Sequence, residues 1–589
     1  MRRRVCLIAG ACALALPGTA SAANTFVDQT RPNNNGDCLT PATACKTFTG
    51  PGGAVAKAGP GDTIFAVDPA AQTTYNDTIV LGDGKSLIAL SPDPAETIID
   101  NGSAAAPAVT VSGTGTGQVR GFTIRSDHRA IEIHRPATIR DNVFDDPGPI
   151  TTTFNNHMEI GFGAGSPLIT DNTFVDPAPT TTENQIAIVT ISSGSPTISD
   201  NEFDDFLEAV FVAGSDTGSP RITGNDIAGT RVAVNAAAAI GVITGTPTIT
   251  GNFIHDPVFA TPNSFVTGIS IDQGGGGAAG ATLKRNRILG HRWGVTAEDT
   301  SQPVSLESDL IAQSVVAGLR LNDSGGDDVG VGDVTATNVT VTDTADPALG
   351  NEVQVNNAVL DLGSSIIGDR GVELQGTGAC TSNFSRGPAT DGCQPFATSA
   401  DPLFVNPGSD DYHLQASSPM IEAGSPSAPP PGATDVDGDP RAIDGNGDCT
   451  VRRDIGADER LVPPNPACTP PPGDGDGDVP PSNVFTIGEL NGKKLEVTVP
   501  GPGTVEVADA ADQSAGGASA AARRKRLKPS SATAVAAGTV EVRLKLTRKA
   551  KGKLKRKGRV KVNGAVTFTP TGGTAKTETA KLKVKKRRR

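Results

Sequence analysis

Apolar and polar residues alternate with a period of two over most of the chain, in short runs of three to six. A turn signal interrupts each run before a helical period can build up. One interruption recurs. The stretch GSPTISDNEF (Gly194–Phe203) has near copies in GSPLITDNTF (Gly165–Phe174), GSPRITGNDI (Gly218–Ile227) and GTPTITGNFI (Gly245–Ile254). Aligned on their asparagines, Asn142, Asn172, Asn201, Asn225, Asn252 and Asn286 stand 30, 29, 24, 27 and 34 residues apart. Three residues before each is Ile139, Ile169, Ile198, Ile222, Ile249 or Leu283; two residues after is Phe144, Phe174, Phe203, Ile227, Ile254 or Ile288.

This pattern predicts a strand, a one-residue bend and a second strand, with both flanking apolar residues pointing inward. Asparagine tolerates the left-handed backbone, so it is the expected bend residue. A single such unit cannot bury its apolar side, but stacked units can. Stacking would also set each Asn amide over the next, where amides can bond along the stack. The repeats are expected to be rungs of a coil, and the variable stretches between them loops.

Composition agrees with an all-β chain of many turns. Of 589 residues, 70 are Gly and 44 Pro, and only 4% are aromatic. The length exceeds one compact core. The repeat resembles the right-handed parallel β-helix of the pectate-lyase-like group over about Asn24 to Arg460. CKTFTGPGGAVAKAGPGDTIFAV (Cys45–Val67) is similar to the opening of such helices, a short capping helix leading into the first rung. DPLFVNPGSDDYHLQASSPMIEAG (Asp401–Gly424) and DVDGDPRAIDGNGDCTVRRDIGADE (Asp435–Glu459) resemble the closing segment of the choice-of-anchor Q type of secreted β-helix protein. The resemblance implies fold and location, and names no reaction.

Four segments are expected. Residues 1–22 read as a signal peptide, with Arg2–Arg4, an apolar run and Ala20-Ser21-Ala22, too short to span a membrane. Residues 23–460 form the β-helix and its caps, 461–483 a Pro/Gly/Asp-rich linker, and 484–589 a basic module. Cleavage would leave Cys38, Cys45, Cys380, Cys393, Cys449 and Cys468, three local pairs suited to an oxidising exterior. Pairing by proximity is one of fifteen connectivities.

The net charge of −13 is unevenly spread. From Val484 onward there are 26 Lys and Arg against 7 acidic residues; the rest carries 25 against 57. The alternating strands of the basic end read as a small β-sandwich, and resemble the Lys/Arg-rich Ig-like modules of large actinobacterial secreted proteins. Such a module would meet anionic cell-wall polymer or lipid. Nucleic acid is not expected, since aromatics do not interleave with the basic residues.

Two places carry candidate chemistry. DVDGD (Asp435–Asp439) and DGNGD (Asp444–Asp448) suggest Ca2+, but neither has the Gly at position six and Glu at position twelve of a calcium loop. The preferred reading is a closing loop tied down by carboxylates and Arg441, with calcium as the alternative. The other is a sheet face. AIEIH (Ala130–His134) and HMEIG (His157–Gly161) align rung on rung, turning Glu132 and Glu159 outward about 4.8 Å apart. Like charges so close raise one pKa, as in a paired acid and base. His134 and His157 would flank them. Further along, Ser270, Asp272, Thr296 and Glu298 extend the face beside Trp293, a candidate sugar-stacking ring. The histidine of Gly290-His291 is followed by Arg292, and the motif sets of polygalacturonate-cleaving hydrolases and of pectate lyases are missing. The expectation is therefore polysaccharide binding. A lyase or glycosidase working through Glu132 and Glu159, and a structural stalk, are the alternatives.

Overall fold

The computed structural model describes residues 24–462 and 482–585, except for short internal stretches; the longest are 146–154, 176–184, 324–333 and 511–525. The expected signal peptide, most of the expected linker and Cys468 lie outside the described residues. The chain divides into two units, Met1–Thr469 and Pro470–Arg589.

The first unit is a parallel β-solenoid. Each turn runs through three strands, as in Ile131–Ile133, Ala137–Arg140 and Val143–Asp145, and the next turn begins at Asn155–Ile160. Stacked turns build three parallel sheets. The first has 14 strands and includes Ala137–Arg140; the second and third have 12 each and include Val143–Asp145 and Ile131–Ile133 respectively. A four-residue helix, Ala54–Lys57, precedes the strand Thr63–Ala66 at the start.

The repeat maps onto the corner between the first two sheets. Ile139, Ile169, Ile198, Ile222 and Ile249 stack in register, as do Phe144, Phe174 and Phe203. The three phenyl rings stack 4.6 and 4.8 Å apart, at 13° and 9°. All are buried.

The bend differs from the expectation. The left-handed residue is the one before each asparagine: Asp141, Asp171, Asp200, Gly224, Gly251 and Arg285, with φ between 56° and 64°. The asparagines themselves are buried, because their amides are the ladder. Asn172 donates its backbone N–H and its Nδ2 to Oδ1 of Asn201, both at 3.0 Å. Its Nδ2 also donates backward to the Ile139 carbonyl, at 3.0 Å. The pattern repeats from Asn142 to Asn286, so every buried amide is satisfied. Asp or Gly takes the left-handed position at five of the six bends because that site asks only for a permissive backbone; Arg285 is the exception.

The closing segment does more than cover the last rung. It lies along the outer face of the second sheet. Tyr412 and Ala457 pack on Leu289, Leu310 and Ala312, while Leu414, Met420 and Ile455 pack on Ile366. Arg441, 2% exposed, bolts it down. Its guanidinium donates to Ser308 Oγ, the carbonyls of Asn338 and Ala457, and Glu459 at 2.8 Å. Asp435 accepts from the backbone of Asp437, Asp439 and Glu459. These carboxylates hold turns, as the sequence suggested.

Disulfides join Cys38 to Cys45 and Cys380 to Cys393, with Cα atoms 5.1 and 4.9 Å apart. Cys449 is also disulfide-bonded. The second unit is antiparallel. A three-stranded sheet (Thr486–Asn491, Lys494–Val499, Gly538–Arg543) and a four-stranded sheet (Ser530–Ala534, Gly503–Asp509, Arg559–Pro570, Lys576–Lys585) share an apolar core around Val497, Val507, Val566 and Phe568. No described helix is long and apolar enough to cross a membrane.

Candidate functional site

The outer face of the third sheet carries the candidate residues because its strands alternate. In Ile131–Ile133 the two isoleucines are buried and Glu132 is turned out. Glu132 stands directly opposite Glu159, as the spacing predicts. The register then continues through Val189, Phe211 and Gly241 to Ser270, Thr296 and Arg320. A second file, two residues on, holds Asp272 opposite Glu298. The sequence candidates thus share one face but form two groups. Four rungs separate Glu159 from Ser270, roughly 19 Å.

The first group is not a bare pair of carboxylates. Arg129 reaches both, 3.3 Å from Glu132 and 2.6 Å from Glu159, and its Nε donates to Asn156. His134 sits 3.2 Å from Glu132. An arginine between two glutamates offsets their mutual repulsion. His157 does not flank this group as a ligand. It is 7% exposed and packs edge-on against Phe206, with ring centroids 5.3 Å apart. Burial pushes its pKa down to about 4, so it is neutral.

The second group is richer. Trp293 lies against Phe265, with centroids 5.3 Å apart. The guanidinium groups of Arg292 and Arg320 stand 5.3 and 5.2 Å from the indole centre. Arg320 pairs with Glu298, and Thr296 donates to Ser270 at 3.1 Å. Phe265 is 48% exposed. The backbone can carry this patch because Gly294 lies just after Trp293: a Cβ there would come 2.2 Å from Ile311 Cγ2. The strand presses onto the second sheet's side chains at that point and carries Trp293 at its start.

Sequence reasoning missed Arg129, Phe265 and Arg320. Arg129 lies two residues before its strand and Phe265 at the start of one, where alternation gives no orientation. Arg320 becomes relevant only once register places it beside Glu298. It also missed a cleft of about 550 Å³ at the far end of the solenoid, lined by Asp343, Glu352, Arg370 and Phe404 among others. Burial pushes the Glu352 carboxyl up to about 7. That group is 2% exposed and accepts from Thr344 backbone and hydroxyl, so it pins a turn. The acidic DGNGD stretch meets Glu422, forming an all-oxygen group of Glu422, Asp444 and Asp448. Glu422 accepts there from the N–H groups of Gly445 and Asn446 and from Asn446 Nδ2. Asp444 accepts from Gly447, Asp448 and Cys449. Both carboxylates organise the loop backbone.

No protein-family model and no curated protein matches the chain.

Proposed function

We propose that this is a secreted or cell-surface β-solenoid protein that binds extracellular polysaccharide along the outer face of its third sheet. The observation supporting this is the patch of Phe265, Trp293, Arg292 and Arg320 beside Ser270, whose hydroxyl accepts from the buried Thr296, and the Glu298–Arg320 pair. Aromatic faces take up the C–H surface of a sugar, and charged and hydroxyl groups alongside take up its hydroxyls. The files of in-register residues would let an extended chain lie across several rungs. Arg129 between Glu132 and Glu159 favours binding over hydrolysis or elimination there.

The same reading takes the leader as a secretion signal, the closing segment as the choice-of-anchor Q type, and the basic second unit as an Ig-like module that meets anionic wall polymer. The disulfides agree with an oxidising exterior. The test is binding to a panel of plant and microbial polysaccharides, with soluble products recorded. Retention weakened tenfold or more by Phe265→Ala and Trp293→Ala, without products, supports the proposal. Products that disappear in Glu132→Gln would replace it with an enzyme. No retention at all would leave a structural stalk.

A further inference from the structure

Three pieces of the closing segment converge at one point on the second sheet. They are the strand Asp411–Leu414, the DVDGD turn and the GADE stretch that follows it. From them come His413, Asp437 and Asp458, each with one ligand-type atom, and these atoms all lie within 4.8 Å of one another.

Asp458 sets this cluster apart from ordinary surface acids. It is 9% exposed, and its Oδ2 is fully buried with no hydrogen-bond partner. A carboxylate oxygen removed from water without a donor is strongly disfavoured unless it takes up a proton or a cation meets it. Glu459, its neighbour, is answered by Arg441; Asp458 has no such donor on Oδ2. Beside it is a cavity of about 10 Å³, lined by His413, Asp437 and Asp458 with Tyr412, Thr340 and Leu310. That is the space of one water or one ion.

The imidazole is also held as a ligand would be. His413 Nδ1 is 2.6 Å from Asp411 Oδ1, and Nε2 is 2.8 Å from Asp437 Oδ2. Carboxylates accept, so both ring nitrogens donate in this arrangement; an ion at Nε2 would take the place of that proton, while Asp411 on Nδ1 would keep the ring and its tautomer fixed. Arg287 pairs with the other oxygen of Asp437 and keeps that carboxylate in place.

We propose that His413, Asp437 and Asp458 bind a divalent transition-metal ion of the zinc class. One nitrogen and two carboxylates suit zinc, while calcium takes oxygen ligands. Two carboxylates match the ion's charge. The ion would accept the Asp458 oxygen and the His413 Nε2 lone pair, cross-linking three parts of the closing segment.

The test uses the full chain, treated with chelator and then titrated with zinc chloride, with calcium chloride in parallel. One zinc per chain is expected, with affinity falling tenfold or more in Asp458→Asn and in His413→Gln and with calcium unable to compete. Cobalt(II) chloride gives a second readout: its visible absorption should change in His413→Gln. His413 is exposed, so that variant keeps the fold, which circular dichroism checks. No stoichiometric zinc uptake, uptake equal in both variants, or equal binding of calcium would each overturn the site.

Discussion

Asn286 donates both its backbone N–H and its side-chain amide to one oxygen of Asp309, each at 2.8 Å. Asp309 is thus the seventh rung of the ladder and its last amide-like member; Val339 follows at the corner. Every earlier Nδ2 donates back to a carbonyl one rung before it, as Asn286 does to Ile249. An aspartate has no amide hydrogen to give.

Burial pushes the Asp309 carboxyl from 3.8 up to about 7, against the pull of the Asn286 donors. A raised folded pKa means stability that is present at acid pH and lost as pH rises toward that value. The full difference is on the order of 4 kcal/mol. Asp309→Asn should therefore raise the unfolding midpoint at pH 8 and change it little at pH 4. Thermal melts of both proteins from pH 4 to 8 check this; a constant gap would show that Asp309 ionisation is not involved.

Removing a rung from the middle should cost more than removing an exposed residue. Asn201→Ala deprives Asn172 of the acceptor for its N–H and Nδ2, and the Ile169 carbonyl of a donor. Buried groups left unpaired cost about 1–3 kcal/mol each, less what relaxation recovers. A loss of about 3 kcal/mol in urea unfolding is expected. A loss below about 1 kcal/mol would mean the ladder is ornamental to stability.

The Arg129 bridge gives a pH signature. Arg129→Met leaves Glu132 opposite Glu159 without their shared cation. One carboxyl of the variant should then hold its proton to higher pH than in the unfolded chain. The variant should lose stability relative to the native protein as pH rises past the carboxylate range, and recover it below. Adding Glu132→Gln should restore most of the loss at pH 7. A deficit independent of pH would point to lost packing alone.

His157 and His291 act in the opposite sense. Burial holds both down at about 4, neutral inside the fold. Their unfolded forms protonate near 6.5, so stability is lost as pH falls from there toward 4, by roughly 3 kcal/mol per histidine at most. His157→Phe, which keeps a ring against Phe206, should flatten this fall relative to the native protein. Parallel pH-dependent slopes for the two would refute the assignment.

The corner of the solenoid was legible because it repeats. Six copies of Ile/Leu-x-x-Asn-x-Phe/Ile fixed the period, the inward residues and the stacking of amides. The bend was misplaced by one residue, since Asp and Asn both tolerate the left-handed backbone and only the buried ladder tells them apart. The opposition of Glu132 to Glu159 followed from aligned alternation. Arg129 between them did not, because it precedes the strand Ile131–Ile133, where alternation assigns no face. His157 read as exposed by alternation, but Phe206, from a later turn, covers it. The closing segment's docking was least legible: Leu289, Leu310 and Ala312 face outward on their sheet, and nothing local says what covers them.

That docking alters how the coil comes apart. In a solenoid each turn touches only its neighbours, so loss of order can start at an end and travel. Residues 401–460 lie across several turns at once, from Arg287 to Ile366, like a splint along a spring. Turns beneath the splint must open together; turns before Arg285 can open one by one. Amide exchange should divide there, with a single slow, collective rate beyond it and a gradient of rates before it.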